Sequence, residues 1–235
     1  MARPLERVAR LTGAPLDLVA LAIAAEFRPL DEAAATAGLD RLARGLAIAG
    51  LDPEARADAM LAVMSRRHGF DLAPRADPDS LFLDWVIETR RGDPLALAIV
   101  YAAVARRAGF ELHPVGSPRF LLLGDPSATP PIAIDPVPGG RRPPRSMRWL
   151  CPHLVGAAML GALERRFLER GRIDAAIRAA ELRLVLPLGG ELRRRHQREL
   201  IALRARLNRR SSLVQSAEWV ASRESAPRPG PRRCS

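Results

Sequence analysis

The sequence predicts a mainly helical α+β protein with a small antiparallel sheet. Apolar residues recur at helical spacing in the first 70 residues and again beyond residue 153. Between these regions, residues 95–105 are apolar on nearly every side, which is typical of a helix that is buried all round. Three short β-forming segments follow, at residues 111–115, 120–123 and 132–134, and Gly, Pro and Ser clusters separate them.

Three helices are predicted ahead of the central one. The first begins after Pro15, which suits a first helical turn, and Val19 and Ile23 lie on its apolar face. The second covers residues 31–48 and is ended by Gly50. The third begins at Pro53 and ends near residues 68–70. A polar loop is expected over residues 71–79, followed by a capped turn that starts the next helix.

The central helix is predicted to begin after Gly92 and to end at Gly109. Arg106 and Arg107 stand in its last turn, where their charges favour the negative end of the helix dipole. Residues 136–148 are rich in Pro, Gly and Arg. We therefore expect them to form a linker rather than an element of secondary structure.

Four antiparallel helices are predicted beyond this linker, at residues 154–169, 173–186, 191–207 and 212–222. Gly171, Ala175 and Pro187 are spaced as in tetratricopeptide-like hairpins, whereas Arg166 stands where that repeat usually has an aromatic residue. Two hairpins are too few for a free solenoid, so they should pack on the preceding part of the chain. The predicted division is a domain at 1–148, a basic helical region at 149–225 and a disordered tail at 226–235.

The charge of the chain is distributed unevenly. The formal net charge of +11 is carried by arginine alone, and a GC-rich coding bias accounts for the absence of lysine. Residues 1–140 hold 15 Arg against 18 acidic residues, whereas residues 141–235 hold 22 Arg against 8. The two parts of the chain should therefore attract different partners.

The cysteine count and the hydropathy indicate a cytoplasmic protein. The only cysteines are Cys151 and Cys234, so a disulfide framework is not expected and a reducing compartment fits best. We find neither the pattern of a signal peptide nor that of a membrane span, and we expect no membrane association.

Several motifs carry a family resemblance. They are the Ile-Ala-Ala-Glu-Phe-Arg-Pro-Leu-Asp segment at residues 23–31, Arg-Arg-Gly-Asp-Pro at 90–94, Pro-Arg-Phe-Leu at 118–121 and Ile-Asp-Pro at 134–136. Over residues 15–222 the chain resembles the bacterial SirB-type family, in which a transglutaminase-like (papain-like) core precedes tetratricopeptide-like helices. This resemblance implies that residues 1–148 form a transglutaminase-like domain with a regulatory or scaffold role.

The resemblance also assigns three places to the parts of a thiol acyl-transfer site. Such a site needs a cysteine at a helix N-terminus, a histidine on a neighbouring strand and a group that orients the histidine. These places fall on Pro94, Arg119 and Asp135. Members of the family generally show Pro-Gly-His-Phe-Leu on the strand, whereas this chain has Arg119 in a segment one residue shorter. We therefore predict a degenerate triad with no catalytic residue, in which Asp135 pairs with Arg119 or caps the next turn.

Two other thiol and imidazole patterns are weaker. Cys151 stands two residues before His153, and a displaced thiol at Cys151 is the alternative that would make the protein an acyl-transfer enzyme of transglutaminase or protease type. His68, His113 and His196 lie far apart in the sequence and are expected at the surface or at caps. No metal site, cofactor or nucleotide-binding loop is predicted.

A basic helical face is predicted near the C-terminus, formed by Arg193, Arg194, Arg198 and Arg204. Such a face could bind phosphates or an acidic protein, and a solvated surface is the competing interpretation. Trp219 is the only aromatic residue after Phe167, so the stacking platform of a single-strand binder is missing. The function expected is a non-catalytic module with a protein partner, and nucleic-acid binding is an alternative.

Overall fold

The structure is a computed structural model that describes residues 3–74, 77–116, 121–129, 131–137, 140–142 and 148–224. Its centre is helix α6 (Pro94–Arg107), in which ten consecutive residues, 96–105, are buried. The helix ends where Gly109 adopts a φ of 91°, a conformation that glycine reaches without a steric penalty. The predicted central helix is thus confirmed at both ends.

A five-stranded sheet packs against α6. Its strands are β3 (His113–Gly116), β4 (Leu121–Asp125), β5 (Ile132–Asp135), β6 (Gly140–Arg142) and β7 (Arg148–Trp149). Their order in the sheet is β6-β5-β4-β3-β7, and every neighbouring pair is antiparallel. The small antiparallel sheet is confirmed, with more strands than the sequence indicated.

The linker predicted at residues 136–148 was wrong for the parts of it that the structure describes. β6 extends the sheet at one edge by pairing with β5, and β7 extends the other edge by pairing with β3. Both strands are two or three residues long. Short edge strands of this kind are stabilised by hydrogen bonds to the neighbouring strand and not by β-forming residues of their own. Their Pro- and Arg-rich sequence therefore does not predict a strand.

Five helices precede α6: α1 (Pro4–Ala9), α2 (Leu16–Ala25), α3 (Glu32–Arg44), α4 (Pro53–Leu61) and α5 (Leu83–Thr89). Asp31 and Asp52 cap α3 and α4 by accepting hydrogen bonds from Ala34 and Ala55. α3 ends four residues before the predicted limit of residue 48, and α4 continues as a π-helical turn (Ala62–Arg67). The sequence analysis predicted no helix over residues 4–9, where α1 lies.

The loop predicted at residues 71–79 contains regular structure. β1 (Asp71–Leu72) pairs in parallel with β2 (Arg91–Gly92), and a 3-10 turn (Pro78–Leu81) leads into α5. Thus the Arg-Gly of the Arg-Arg-Gly-Asp-Pro motif forms a strand immediately before the central helix.

Three helices follow the sheet, and the prediction of four was wrong. They are α7 (Pro152–Glu169), α8 (Ile173–Arg183) and α9 (Gly190–Glu224). α9 continues through residues 208–211 because its sequence from Glu191 to Glu224 contains neither Gly nor Pro to stop it. The tail predicted to be disordered, residues 226–235, lies outside the described residues.

One hydrophobic core joins the two parts of the molecule. Its largest cluster includes Ile23 of α2, the buried face of α6, and Val155, Leu160 and Phe167 of α7. A smaller cluster, around Ala180, Leu200 and Leu203, joins α8 to α9. The expectation that the C-terminal helices pack on the preceding part is therefore confirmed. Of the helices described, none has a stretch both long enough and apolar enough to cross a membrane.

Candidate functional site at the start of the central helix

The N-terminus of α6 is the place where the predicted fold would carry a nucleophile. Pro94 occupies the first helical position, and Asp93 is the N-cap. One carboxylate oxygen of Asp93 accepts a hydrogen bond from the Leu95 N–H at 2.8 Å, and the Asp93 N–H donates to the Ser80 carbonyl oxygen at 2.8 Å. The Asp93 carboxylate binds one free N–H group of the first helical turn. Proline has no N–H, so its position needs no hydrogen-bond partner.

A buried arginine from α7 reaches this helix start. Arg166 is 8% exposed, and one of its guanidinium nitrogens donates to the second carboxylate oxygen of Asp93. The other terminal nitrogen donates to the Ser80 hydroxyl at 2.7 Å and to the Asp77 carbonyl oxygen at 2.6 Å. The Ser80 hydroxyl itself donates to the same carbonyl at 2.7 Å. Arg166, Asp93, Ser80 and Asp77 therefore form a closed polar cluster, which we call the Arg166 cluster.

The first motif of the sequence makes a second connection to the C-terminal helices. Glu26 accepts a hydrogen bond from Arg178 of α8, and its other carboxylate oxygen accepts from the Leu5 N–H at 3.3 Å. Arg28 lies 3.2 Å from the carboxylate of Asp84 in α5. Motif residues 26 and 93 thus both bind arginines that come from α7 and α8.

Of the three triad places, the structure describes two. Pro94 stands at the first position of α6, and Asp135 is the last residue of β5 and 3% exposed. Asp135 Oδ1 accepts a hydrogen bond from the Val137 N–H at 3.0 Å. Asp135 thus caps the following turn, which is one of the two roles predicted for it. Arg119 lies outside the described residues.

Cys151, the alternative nucleophile, lies at the start of α7 and is distant in sequence from Pro94. Cys151 is exposed at the N-cap of α7 and makes no side-chain capping bond. His153 is buried in the first turn of α7, and its Nε2 has no hydrogen-bond partner among the described residues. No hydrogen bond between Cys151 and His153 is present in this part of the chain.

His196 was expected at the surface or at a cap, and this expectation was wrong. It is 9% exposed, and its Nδ1 lies 3.0 Å from Glu199 and 3.2 Å from Arg183 of α8. Arg183 also binds Glu164 of α7, so this polar group joins all three C-terminal helices. Nowhere among the described residues do three His, Cys, Asp or Glu side chains come together as a metal site would need.

The four predicted binding arginines of α9 do not share one face. Each residue turns an α-helix by about 100°, and the buried stripe of α9 is His196, Leu200 and Leu203. Arg194 and Arg198 therefore point away from that stripe, whereas Arg193 and Arg204 lie on one flank. Arg204 donates to Glu181 of α8 at 2.6 Å, and the other three are exposed without an ion pair to any described residue.

The groups assembled at the start of α6 bind and position one another. Proline has no nucleophilic side chain, and a guanidinium cannot accept a proton near neutral pH. The Asp93 carboxylate is already shared between a helix cap and a buried charge. This arrangement stabilises a joint between two parts of the fold.

One feature of the sequence indicates the Arg166 cluster, although it was not predicted. Arg166 stands at helical spacing within an apolar stripe of α7, beside Leu163 and Phe167. A charged residue in such a stripe needs a buried partner. The partner, Asp93, is 73 positions away in the sequence, so local patterns could not identify it.

Comparison with known proteins gives a family match. The chain matches the Transglutaminase-like superfamily over residues 20–162, which runs from α2 through the sheet into α7. It is 38% identical over 65 residues to proteins described as "UPF0162 protein" from Xylella fastidiosa, strains Temecula1 and 9a5c. That alignment covers 28% of this chain and 23% of each relative, so the chain spans less than a quarter of the length of these relatives. No solved structure matches the chain.

Proposed function

The chain belongs to the transglutaminase-like superfamily, and from that premise we propose that it is a non-catalytic member that acts as a protein-interaction or regulatory module. Within the superfamily it would be of the SirB type, with α7 to α9 as the tetratricopeptide-like part. The observation that carries the proposal is the start of α6. There, Pro94 occupies the first helical position, and the Asp93 carboxylate is held by buried Arg166.

The chemistry of acyl transfer supports this assignment. A thiol nucleophile at the start of α6 would need an open helix N-terminus, since the partial positive charge there stabilises the thiolate. In this chain, Asp93 is engaged with that helix end and Arg166 is engaged with Asp93. Asp135 caps a turn through its Oδ1. Asp93 and Asp135 thus have structural roles.

An activity assay tests the non-catalytic assignment. Purified full-length protein is incubated with a glutamine-containing peptide and a fluorescent primary amine, and amine incorporation, deamidation and peptide hydrolysis are measured. We expect product no higher than in a heat-denatured sample, with no change in Asp135→Ala. Turnover that Cys151→Ser abolishes and Cys234→Ser retains would instead establish the displaced-thiol enzyme.

A second candidate function rests on α9. Arg193, Arg194 and Arg198 are exposed, and no described acidic residue neutralises them, so they are available to an acidic protein or to nucleic acid. The test compares the triple variant Arg193→Gln, Arg194→Gln, Arg198→Gln with a control triple in the exposed residues Arg10, Arg44 and Arg66. Both variants lose three charges, but only the first changes α9.

The two kinds of partner give different results in this comparison. If nucleic acid binds, affinity for a DNA or RNA oligonucleotide falls with salt, and the α9 triple reduces the slope of log affinity against log salt by up to about 3. If an acidic protein binds, oligonucleotides are not retained, whereas a poly-glutamate column retains the native chain and the control triple more strongly than the α9 triple. Equal retention of both triples on both matrices would remove α9 as a binding surface.

A further inference from the structure

Four basic side chains from three helix ends meet on one side of the N-terminal part. Arg41 stands in the last turn of α3, Arg67 and His68 stand at the end of the π-helical turn, and Arg90 follows α5. We call this group the Arg90 cluster. A Cβ on Gly45 would contact both His68 Nε2 and Arg67 Nη1, and the Arg90 guanidinium lies over the ring of Phe70, two residues from His68. Arg41 Nη2 lies near Gly38, against which Ile87 of α5 packs, and the charge of Arg41 acts on Arg90.

The Arg90 cluster is not paired with a carboxylate in the part of the chain that the structure describes. Among the residues that the structure describes, none of its three guanidinium groups forms an ion pair. Nη1 of Arg90 and Nε2 of His68 are buried and have no hydrogen-bond partner there. Arg67 makes a single long hydrogen bond, from Nη1 to the Gly45 carbonyl oxygen at 3.4 Å. Buried polar groups in proteins are normally hydrogen-bonded, so a bound acceptor would satisfy these two nitrogens.

The backbone holds Arg90 in an unusual conformation at this place. Its φ is 62°, the only positive value of a residue other than glycine in the described chain. The Asp71 N–H donates to its carbonyl oxygen at 3.0 Å, and its Cζ lies 4.9 Å from the centre of the Phe70 ring. This left-handed conformation ends α5, where Arg90 is the C-cap and its N–H donates to the Val86 carbonyl oxygen. It is costly for a residue other than glycine.

A glycine leaves space beside the imidazole. If Gly45 carried a Cβ, that atom would lie 3.4 Å from His68 Nε2 and 3.8 Å from Arg67 Nη1. The φ of Gly45 is −80°, so its backbone does not require glycine. The missing side chain thus leaves room next to the two nitrogens, and alanine could fill this room without straining the backbone.

Helix dipoles explain part of the cluster but not all of it. Arg41 and Arg67 stand in the last turns of their helices, where a positive charge is favoured. The helix dipoles do not explain why Nη1 of Arg90 and Nε2 of His68 are buried without a hydrogen-bond partner among the described residues. Burial, followed by the charge of Arg41, lowers the pKa of Arg90, and burial with Arg90 and Arg67 lowers the pKa of His68. A bound anion would offset each of these costs.

We propose that the Arg90 cluster binds a small oxyanion with two negative charges, either inorganic phosphate or the phosphate group of a small phosphate monoester. Several guanidinium donors and an imidazole N–H, with no carboxylate paired to them among the described residues, suit the acceptor-rich oxygens of a phosphate dianion better than a single carboxylate. This site lies outside the start of α6. It does not depend on whether the protein is catalytic.

The test follows the imidazole of His68 by NMR in the full-length protein. Its Cε1–H resonance is assigned with His68→Gln, and orthophosphate is added above neutral pH at constant ionic strength, with chloride as the counter-titration. We expect a saturable shift of the His68 resonance, whereas exposed His113 does not respond. A parallel titration with phenyl phosphate distinguishes the sources. Tighter binding of the ester indicates a monoester ligand, and tighter binding of orthophosphate indicates the free ion.

Three variants separate a binding site from a merely basic surface. Arg90→Gly removes the guanidinium at a backbone position that glycine prefers, so it should stay folded and bind phosphate at least about tenfold more weakly. Gly45→Ala should weaken binding by filling the space beside Nε2, although it changes no charge. Arg66→Gln, which removes a neighbouring exposed charge, should bind as the native chain does.

The same variants supply the outcomes that would overturn the proposal. A His68 shift that is linear in phosphate, or that chloride reproduces, would reduce the cluster to a basic surface. Equal affinity in the native chain, Arg90→Gly and Gly45→Ala would do the same. Thermal melting provides a second readout, since phosphate should raise the midpoint of the native chain and of Arg66→Gln but not that of Arg90→Gly.

Discussion

At the scale of single residues, Arg166 is the side chain on which the joint between the two parts depends most. We predict that Arg166→Ala lowers the free energy of unfolding by roughly 3 kcal/mol, because it leaves the half-buried Asp93 carboxylate and the buried Ser80 hydroxyl without their donor. Urea denaturation followed by circular dichroism measures this change. The neighbouring exposed Arg165→Ala should change the same free energy by less than about 0.5 kcal/mol.

A double-mutant cycle shows whether the loss comes from this pair. Asp93→Asn keeps a capping oxygen for the Leu95 N–H but removes the charge. If the two residues act as a pair, the double variant is less destabilised than the sum of the single variants, by about 1 kcal/mol or more. Strict additivity would show that Arg166 contributes through packing alone.

Glu164 gives a prediction about pH. Burial raises the pKa of its carboxyl, although the charge of Arg183 opposes this effect. The folded protein therefore holds the Glu164 proton more tightly than the unfolded chain does. The resulting stability is fully present below the ordinary pKa of glutamate, about 4.3, and is lost as pH rises through the folded value.

The measurement compares native protein with Glu164→Gln in urea at a series of pH values from the ordinary pKa of glutamate upward. Over that interval the free energy of unfolding of the native chain should fall relative to that of the variant, since glutamine does not titrate. A constant offset between the two curves is expected as well, because the variant also weakens the contact with Arg183. Curves that stay parallel throughout would contradict the raised pKa.

At the scale of elements, Gly124 determines how β7 lies on the sheet. A Cβ on Gly124 would stand 2.6 Å from two ring carbons of Trp149, so only glycine allows the indole to cover β4. Gly124→Ala should displace Trp149, weaken the β3–β7 pairing and cost about 1 kcal/mol. Trp149 is already 43% exposed, and its fluorescence should shift further to the red.

Gly116→Ala is the matched control for this change. Its Cβ would meet Leu150 at 3.4 Å, which is close to an ordinary contact with a flexible side chain. The fluorescence of Gly116→Ala should remain that of the native chain. If both variants shifted the emission equally, the effect would belong to β3 and β4 in general and not to the contact between Gly124 and Trp149.

Local sequence patterns predicted the elements that are stabilised by contacts within a few residues of the chain. The start of α6 at Asp93-Pro94 and its end at Gly109 could be predicted because caps and stops act within a few residues. β6 and β7 could not, since their order comes from hydrogen bonds to β5 and β3. The break predicted between residues 207 and 212 was wrong, because the helix continues where neither Gly nor Pro stops it.

At the scale of the whole molecule, the uneven charge of the chain is partly used inside the fold. Three acidic residues of the N-terminal part, Glu26, Asp77 and Asp93, lie against arginines of α7 or α8. The sequence showed the asymmetry but suggested different external partners. Its first consequence in the structure is that an acidic part and a basic part attract each other.

The shared core implies that the N-terminal part does not fold cooperatively by itself. α7 lies so close to α2 that a Cβ on Gly156 would be 2.8 Å from Val19, and Val155, Leu160 and Phe167 complete the same apolar cluster. Residues 1–150 alone would expose that surface to water, at a cost of roughly 25 cal/mol for each Å² of apolar area. We predict that this fragment unfolds without a cooperative urea transition and binds the dye ANS, whereas residues 1–207 keep the transition of the full chain. A cooperative transition in the shorter fragment would show that the sheet and α6 suffice for folding and that α7 to α9 are an appended module.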